Sequence, residues 1–194
     1  MIRLIASLTI VTIVCGAALG LIYGITKEPI RKAELQEKGL KIDAVLSDLS
    51  PENNPVENII PVINEQGDTV EGYLAINGND TVGIAIASSG LGFAGPVSIL
   101  TGINITNGQV TGIEVLRQEE TPGLGARIQE QWFLDQFKGK SLNNSELVNN
   151  NLAVVKDGGD IDAISGATIT PRAVCEAVSK SLHLFENLDF GGGR

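Results

Sequence analysis

A stretch of small and hydroxyl-bearing residues near the C-terminus has the composition to bind a phosphate group. It reads DAISGAT, from Asp162 to Thr168, and leads into Thr170 and Pro171, which suit the N-cap and the first turn of a helix. The unpaired N–H groups and the positive dipole end of a helix N-terminus attract anions. Residues 165–168 are therefore a candidate phosphate site, although the same composition also suits an ordinary loop and helix cap.

Two glycine-rich loops could let a flat or charged ligand approach the backbone closely. The first, SSGLGFAGP, spans Ser88–Pro96, and the second, EETPGLGAR, spans Glu119–Arg127. Glycine permits close approach and positive φ in both. In the first loop, Gly92, Phe93 and Gly95 form either a pocket wall or simply the end of a strand. The second loop is either a ligand-binding wall or a plain turn between a strand and a helix.

The sequence has few residues suited to hydrolytic catalysis or to metal binding. The only histidine, His183, lies well inside the last predicted helix, too far along it to act on the hydroxyls of Ser165 and Thr168. The acidic residues at positions 157–162 lack the spacing of a calcium loop, so we predict a solvated turn and no metal site. The two cysteines, at positions 15 and 175, form no C-x-x-C pattern.

An uncharged segment near the N-terminus has the length and composition of a membrane span. Leu4–Ile25 contains 22 residues, which at 1.5 Å each span about 33 Å, enough for a bilayer. The run is too long for a typical signal peptide and lacks a small-residue cleavage site, so we predict a transmembrane anchor at 1–26. A helical connector, starting at Pro29, is predicted at 27–56. More basic residues follow the anchor than precede it, which by charge alone places the rest in the cytoplasm.

The pattern beyond the connector predicts an α+β domain at 57–190, an antiparallel sheet with flanking helices. Turns at Gln66-Gly67-Asp68, Asn77-Gly78 and Asn107-Gly108 separate the first β-branched runs. The runs are NIIPVIN, TVEGYLAI, TVGIAIAS, VSILTGINIT and VTGIEVLRQ. A helix is predicted in GARIQEQWFLDQF, with Trp132 in the core beside its aromatic neighbours, then a strand in LAVVK and a final helix from Pro171. The formal net charge of −9, with no basic stripe, argues against nucleic acid as a partner.

Two motifs together resemble a known family. DAISGAT matches the flavinylation motif D-x-x-[ST]-G-A-[TS] of the FMN-binding domain found in RnfG and NqrC subunits of respiratory complexes, and the segment from Glu119 to Gly125 is similar to a second motif of that domain. The resemblance covers nearly the whole chain. It implies a covalent phosphoester between FMN and Thr168, installed by a flavin transferase of the ApbE type that recognises Asp162. The residues that it assigns to cofactor binding are Ser165, Gly166, Ala167, Ile169, Glu119, Thr121, Pro122, Gly123, Leu124 and Gly125.

The resemblance also implies a function. The chain is expected to be an electron-carrying flavoprotein subunit of the Rnf complex, a membrane-bound ion-translocating ferredoxin:NAD oxidoreductase. Its partners would be the other membrane and iron–sulfur subunits, it would catalyse no turnover alone, and its FMN domain would lie outside the inner (cytoplasmic) membrane, against the charge count. An NqrC-type subunit of a sodium-pumping NADH:quinone reductase is the alternative, although such chains usually carry extra sequence after the anchor. A membrane-anchored FMN module of another extracytoplasmic electron-transfer chain, or a non-redox domain with unmodified Thr168, also stays open.

Overall fold

The computed structural model describes residues 2–63, 67–142 and 151–188, and its contacts divide the chain into two units, Met1–Gly39 and Leu40–Arg194. Several positions of the predictions lie outside the described residues: position 1 of the anchor, Asn64 of the first run, Gln66 of the first turn, and positions 64–66, 143–150 and 189–190 of the domain. The first unit is helical, and helix α1 runs from Ile2 to Leu46. Its apolar part is the only candidate membrane span among the described residues, by length and composition.

Helix α1 contradicts one expectation about the connector. Pro29 lies inside α1 and does not begin a new helix. Proline removes one backbone hydrogen bond from a helix, but a helix with good residues on either side can continue through it. The predicted anchor and the first part of the predicted connector are therefore one continuous helix.

A five-stranded antiparallel sheet forms the centre of the second unit, and each strand pairs with its neighbours in chain order. The strands are β1 (Ile59–Ile63), β2 (Thr69–Asn77), β3 (Asp80–Leu91), β4 (Pro96–Asn104) and β5 (Val110–Arg117). Gly78 and Gly108, in the turns after β2 and β4, adopt φ of 58° and 66°, which glycine tolerates without steric cost. The predicted α+β class with an antiparallel sheet is confirmed.

Both faces of the sheet are covered. On one face, Ile42, Val45 and Leu46 at the end of α1 are buried in a cluster with apolar residues of β2, β3 and β4. The approach is close, because Thr111 Oγ1 donates to the Val45 carbonyl at 2.5 Å. A Cβ on Gly102 would lie 2.3 Å from the same carbonyl. A residue with a side chain at this position of β4 would force the end of α1 away from the sheet.

Helix α3 (Ile169–Glu186) covers the other face and packs on β3 and β4. Its buried positions recur at helical spacing and include Ala173, Val174, Ala177, Val178 and Leu182. The helix lies unusually close to β3, because a Cβ on Gly90 would be 2.0 Å from the Ala173 carbonyl oxygen. This contact fixes the first turns of α3, which follow directly on DAISGAT.

The segment after β5 differs from the single helix predicted for GARIQEQWFLDQF. It forms a 3₁₀ turn at Gly125–Gln129, a short helix α2 at Gln131–Leu134 and another 3₁₀ turn at Asp135–Phe137. The break occurs at Glu130, whose backbone is extended at φ −71° and ψ 137°. Ile128 and the two phenylalanines of the segment are nevertheless fully buried. Burial of these residues in the core outweighs the local preference for a continuous helix.

The strand predicted in LAVVK is wrong. Val154 makes a single parallel bridge to Ile161, and Val155–Asp157 turn into a 3₁₀ helix that ends at Gly158 with φ of 85°. Val154 and Ile161 are both buried in the main core. The apolar run therefore anchors a loop by burying two residues and forms no strand.

Candidate functional site

The DAISGAT loop lies against the domain with its apolar residues inward. Ile164 is buried, whereas Asp162, Ser165 and Gly166 are exposed. Gly166 adopts φ of 79°, and the Ala167 N–H donates to the Ile164 carbonyl at 3.0 Å. The loop thus has a defined turn that keeps the central residues of the motif at the surface.

Thr168 occupies the N-cap position of α3, and its side chain is half-buried. Its hydroxyl makes no capping hydrogen bond to the helix, so the group is not committed to holding the helix end. The prediction that Thr170 is the N-cap is therefore wrong. Thr170 lies inside the first turn, 1% exposed, and its hydroxyl has a partner elsewhere in the domain.

That partner is Glu120, a carboxylate that the sequence interpretation did not single out. Glu120 is 6% exposed, and its Oε2 accepts a hydrogen bond from Thr170 Oγ1 at 2.9 Å. Its Oε1 accepts from the backbone N–H of Ala94 at 3.0 Å, in the turn between β3 and β4. One buried side chain therefore joins three segments that are separate in sequence: the turn at 92–95, the loop at 119–125 and the start of α3.

The neighbouring Glu119 has a different environment. Its carboxylate pairs with Arg117 at 2.7 Å, and both side chains are well exposed. An ion pair of this kind contributes little to stability. Of the two adjacent glutamates, the one next to Thr121 enters the buried cluster. Glu120 is also the glutamate with which the run ETPGLG begins, one position after the Glu119 that was assigned to cofactor binding.

The rest of the second motif forms a tight turn beside DAISGAT. Thr121, Pro122 and Gly123 are exposed, and the Leu124 N–H donates to the Thr121 carbonyl at 3.1 Å. Leu124 Cδ2 lies 3.6 Å from the place where a Cβ on Gly166 would stand. The structure thus brings the two motif loops into contact across more than forty residues of sequence.

Three exposed apolar side chains lie on these segments. Phe93 at the turn after β3 is 74% exposed, and Leu124 and Ile169 are each 44% exposed. An open cavity of about 560 Å³ lies along the second motif, a size within the range of small-molecule sites. Its lining residues are Pro122, Gly123, Ala126, Arg127, Gln129 and Glu130.

Two arginines close to the motifs in sequence are paired with carboxylates. Arg127 donates through Nε and Nη2 to Glu130 at 2.9 and 3.0 Å, and these hydrogen bonds raise the pKa of Arg127 and lower that of Glu130. Trp132 lies 5.9 Å from the Arg127 guanidinium and also donates to Glu130. At 43% exposed, Trp132 is not in the core, contrary to prediction.

A second arginine lies close to the start of α3. Arg172 donates through Nε and Nη2 to Asp157 at 2.5 and 2.6 Å. The hydrogen bonds from Arg172 lower the pKa of Asp157. The Arg172 backbone N–H faces the Thr168 carbonyl at 3.4 Å, so Arg172 follows Thr168 by one helical turn, with its guanidinium paired to Asp157.

The residues present fit an FMN group. The half-buried hydroxyl of Thr168 makes no capping hydrogen bond to the helix, and the neighbouring Gly166 is exposed. Apolar surface for a flat ring comes from Phe93, Leu124 and Ile169. A site that combines apolar walls with a few polar groups is typical for cofactors of this size.

Comparison with known proteins agrees with this fit. Residues 92–183 match the family model of the FMN-binding domain. The chain is 32% identical to the G subunit of the ion-translocating oxidoreductase complex of Aliivibrio fischeri, over 92% of this chain and 87% of that protein. It is also 32% identical to the G subunit of the Na(+)-translocating ferredoxin:NAD(+) oxidoreductase complex of Acetobacterium woodii, over 93% and 89%. The chain belongs to the family of these G subunits.

Solved structures share the fold of this G-subunit homologue. The C subunit of the Na(+)-translocating NADH-quinone reductase from Parabacteroides distasonis superposes with a TM-score of 0.56 at 22% identity, covering 81% of this chain and 94% of that one. NqrC of Shewanella oneidensis gives 0.59 at 16% identity, covering 79% and 94%. The resemblance to RnfG drawn from the two motifs is confirmed, and the NqrC likeness is one of fold.

Proposed function

We propose that this G-subunit homologue is an electron carrier whose FMN is joined covalently to Thr168 through a phosphoester. The observation that carries the proposal is the placement of Thr168: its half-buried hydroxyl makes no capping hydrogen bond and stands at the end of one of two motif loops that are in contact, within the residues that match the FMN-binding domain. Bound FMN supplies reversible electron transfer. The chain's own residues attach the group, cover its apolar ring and meet its phosphate charge.

Attachment requires a separate enzyme. A threonine hydroxyl is a poor nucleophile unless a base removes its proton. Histidine is excluded as that base, because the only histidine, His183, lies about four turns along α3 from Thr168, and its side chain is exposed. We therefore propose that a flavin transferase of the ApbE type supplies the base and a flavin phosphate already bonded to a leaving group. Asp162 is exposed at the start of the motif and is therefore accessible to that enzyme.

The orientation of Asp162 is fixed by the domain behind it. Gln136 Oε1 accepts a hydrogen bond from the backbone N–H of Asp162 at 2.6 Å. The buried Ile161 and Ile164 hold the chain on either side. The carboxylate of Asp162 therefore projects from an anchored backbone, which suits a recognition role better than a structural one.

The wider setting rests on the relatives. The Acetobacterium woodii protein is named as a subunit of a Na(+)-translocating ferredoxin:NAD(+) oxidoreductase complex. We propose that this chain likewise works in an Rnf-type complex with membrane and iron–sulfur subunits, anchored in the inner membrane through residues 1–26. We place the domain, predicted at 57–190, on the extracytoplasmic side, because a covalent bond keeps the flavin where a free cofactor would diffuse away.

Fluorescence on a denaturing gel tests the attachment. The full-length chain is produced with and without a flavin transferase, beside Thr168→Ala and, as a matched control, Thr106→Ala, which removes the hydroxyl of an exposed threonine outside both motifs. Denaturation removes loosely bound flavin, so we expect a fluorescent band only for the wild type and Thr106→Ala with transferase. A fluorescent Thr168→Ala band would place the bond elsewhere, and a dark wild type would refute covalent attachment.

A further inference from the structure

The buried Glu120 carboxylate is held by two neutral donors and no cation. Its Oε1 receives the Ala94 N–H and its Oε2 the Thr170 hydroxyl, and no ion pair of Glu120 occurs within the described residues. Because a buried carboxylate loses its hydration, each of the two hydrogen bonds matters more than one at the surface. The side chain therefore strongly favours the one arrangement of the three segments in which both donors reach it.

Two glycines leave room for this carboxylate. A Cβ on Gly92 would lie 2.4 Å from Glu120 Oε1, and a Cβ on Gly125 would lie 2.5 Å from Oε2 and 2.7 Å from Thr170 Oγ1. Neither glycine has a positive φ. Both glycine-rich loops thus need these glycines for the space that Glu120 occupies, and not for unusual backbone conformations.

Each segment joined by Glu120 carries an exposed apolar side chain close in sequence to a residue that contacts Glu120 or leaves it space. Phe93 precedes Ala94, Leu124 precedes Gly125, and Ile169 lies between Thr168 and Thr170. These are the three exposed apolar side chains described above. A movement of any one segment away from Glu120 would carry its apolar side chain with it.

We infer that Glu120 is a positioning residue: its carboxylate ties the 92–95 turn and the first turn of α3 to the second motif, so that Phe93 and Leu124 shield the flavin on Thr168 from water. The inference rests on the proposed attachment of FMN. It assigns Glu120 no part in forming the bond, because DAISGAT itself is complete without it. Its effect is on the flavin after attachment.

Variants of Thr170 separate this role from general stability. Thr170→Val keeps the shape of the side chain but removes the hydroxyl, whereas Thr170→Ser restores the donor. Glu120→Ala removes both hydrogen bonds. Ser181→Ala is the matched control, because Ser181 Oγ also makes a buried bond from α3, to the Ile86 carbonyl at 3.4 Å, far from the motifs.

The measurement is quenching of flavin fluorescence by iodide, on full-length flavinylated protein in detergent, with attachment checked by intact mass and folding by thermal melting. All variants should carry flavin. Loss of a hydrogen bond to a buried charge shifts an equilibrium roughly tenfold or more, so Thr170→Val and Glu120→Ala should raise the quenching constant severalfold above wild type. Thr170→Ser and Ser181→Ala should stay near wild type.

Four outcomes would contradict the inference or the proposed function. Equal quenching in folded wild type and Thr170→Val would overturn the inference, as would a wild-type flavin quenched as readily as free FMN. A folded Glu120→Ala protein that no longer accepts flavin would also overturn it, because the role would then precede attachment. A wild type without flavin would instead refute the proposed function.

Discussion

Gly90→Ala should loosen the domain at the contact that holds α3 on the sheet. The added Cβ would stand 2.0 Å from the Ala173 carbonyl oxygen and 2.9 Å from its Cα, below the 3.0 Å that real Cβ contacts keep. The obstacle is helix backbone, so α3 must move by about 1 Å, and a gap of that size forfeits about a quarter to a half of each contact across it. We expect a loss of about 3 kcal/mol.

The assay is urea and thermal unfolding of the full-length protein in detergent, followed by the fluorescence of its single tryptophan, Trp132. A loss of about 3 kcal/mol lowers the melting temperature by about 6–12 °C for a domain of this size. Gly95→Ala is the matched control in the same hairpin, because nothing lies within 4 Å of its added Cβ. If Gly90→Ala unfolds at the same temperature as Gly95→Ala, α3 does not pack on β3 as described.

Two further predictions use cysteine chemistry. Burial raises the pKa of the Cys175 thiol to about 12 from an ordinary 9.0, so above pH 9 the unfolded chain loses a proton that the folded one keeps. Stability should therefore fall as pH rises from 9 towards 12, by at most about 1.4 kcal/mol per unit, and Cys175→Ala should lack this part of the slope; identical slopes would contradict the burial. For topology, Asn79→Cys, at an exposed turn, in a Cys15→Ala background should react with a membrane-impermeant maleimide on intact spheroplasts. Labelling only after lysis would put the domain in the cytoplasm, as the charge count predicts.

Local sequence signals were sufficient to predict the sheet. Its strands are β-branched runs, and Asn-Gly pairs mark the turns after β2 and β4, so pattern and turn chemistry agree with the tertiary structure. The strand predicted in LAVVK was wrong because Val154 and Ile161 are buried although both lie in a loop. A short apolar run looks the same whether it pairs as a strand or only fills a core.

Part of the functional site could be predicted from the sequence. The two motifs marked Thr168 and the loop at 121–125, and the structure brings those loops together. The role of Glu120 could not be predicted, because it depends on Ala94 and Thr170, 26 and 50 residues away in the chain. The same distance explains the error at Thr170, whose hydroxyl bonds a carboxylate across the domain and leaves the N-cap position to Thr168.

The most direct test of the central claim is the intact mass of the full-length chain purified after co-production with a flavin transferase, followed by peptide mapping of the modified site. We expect a gain of one FMN less one water, located on the peptide that contains Thr168 and absent from Thr168→Ala. An unmodified wild-type mass, or a gain that persists in Thr168→Ala, would contradict it.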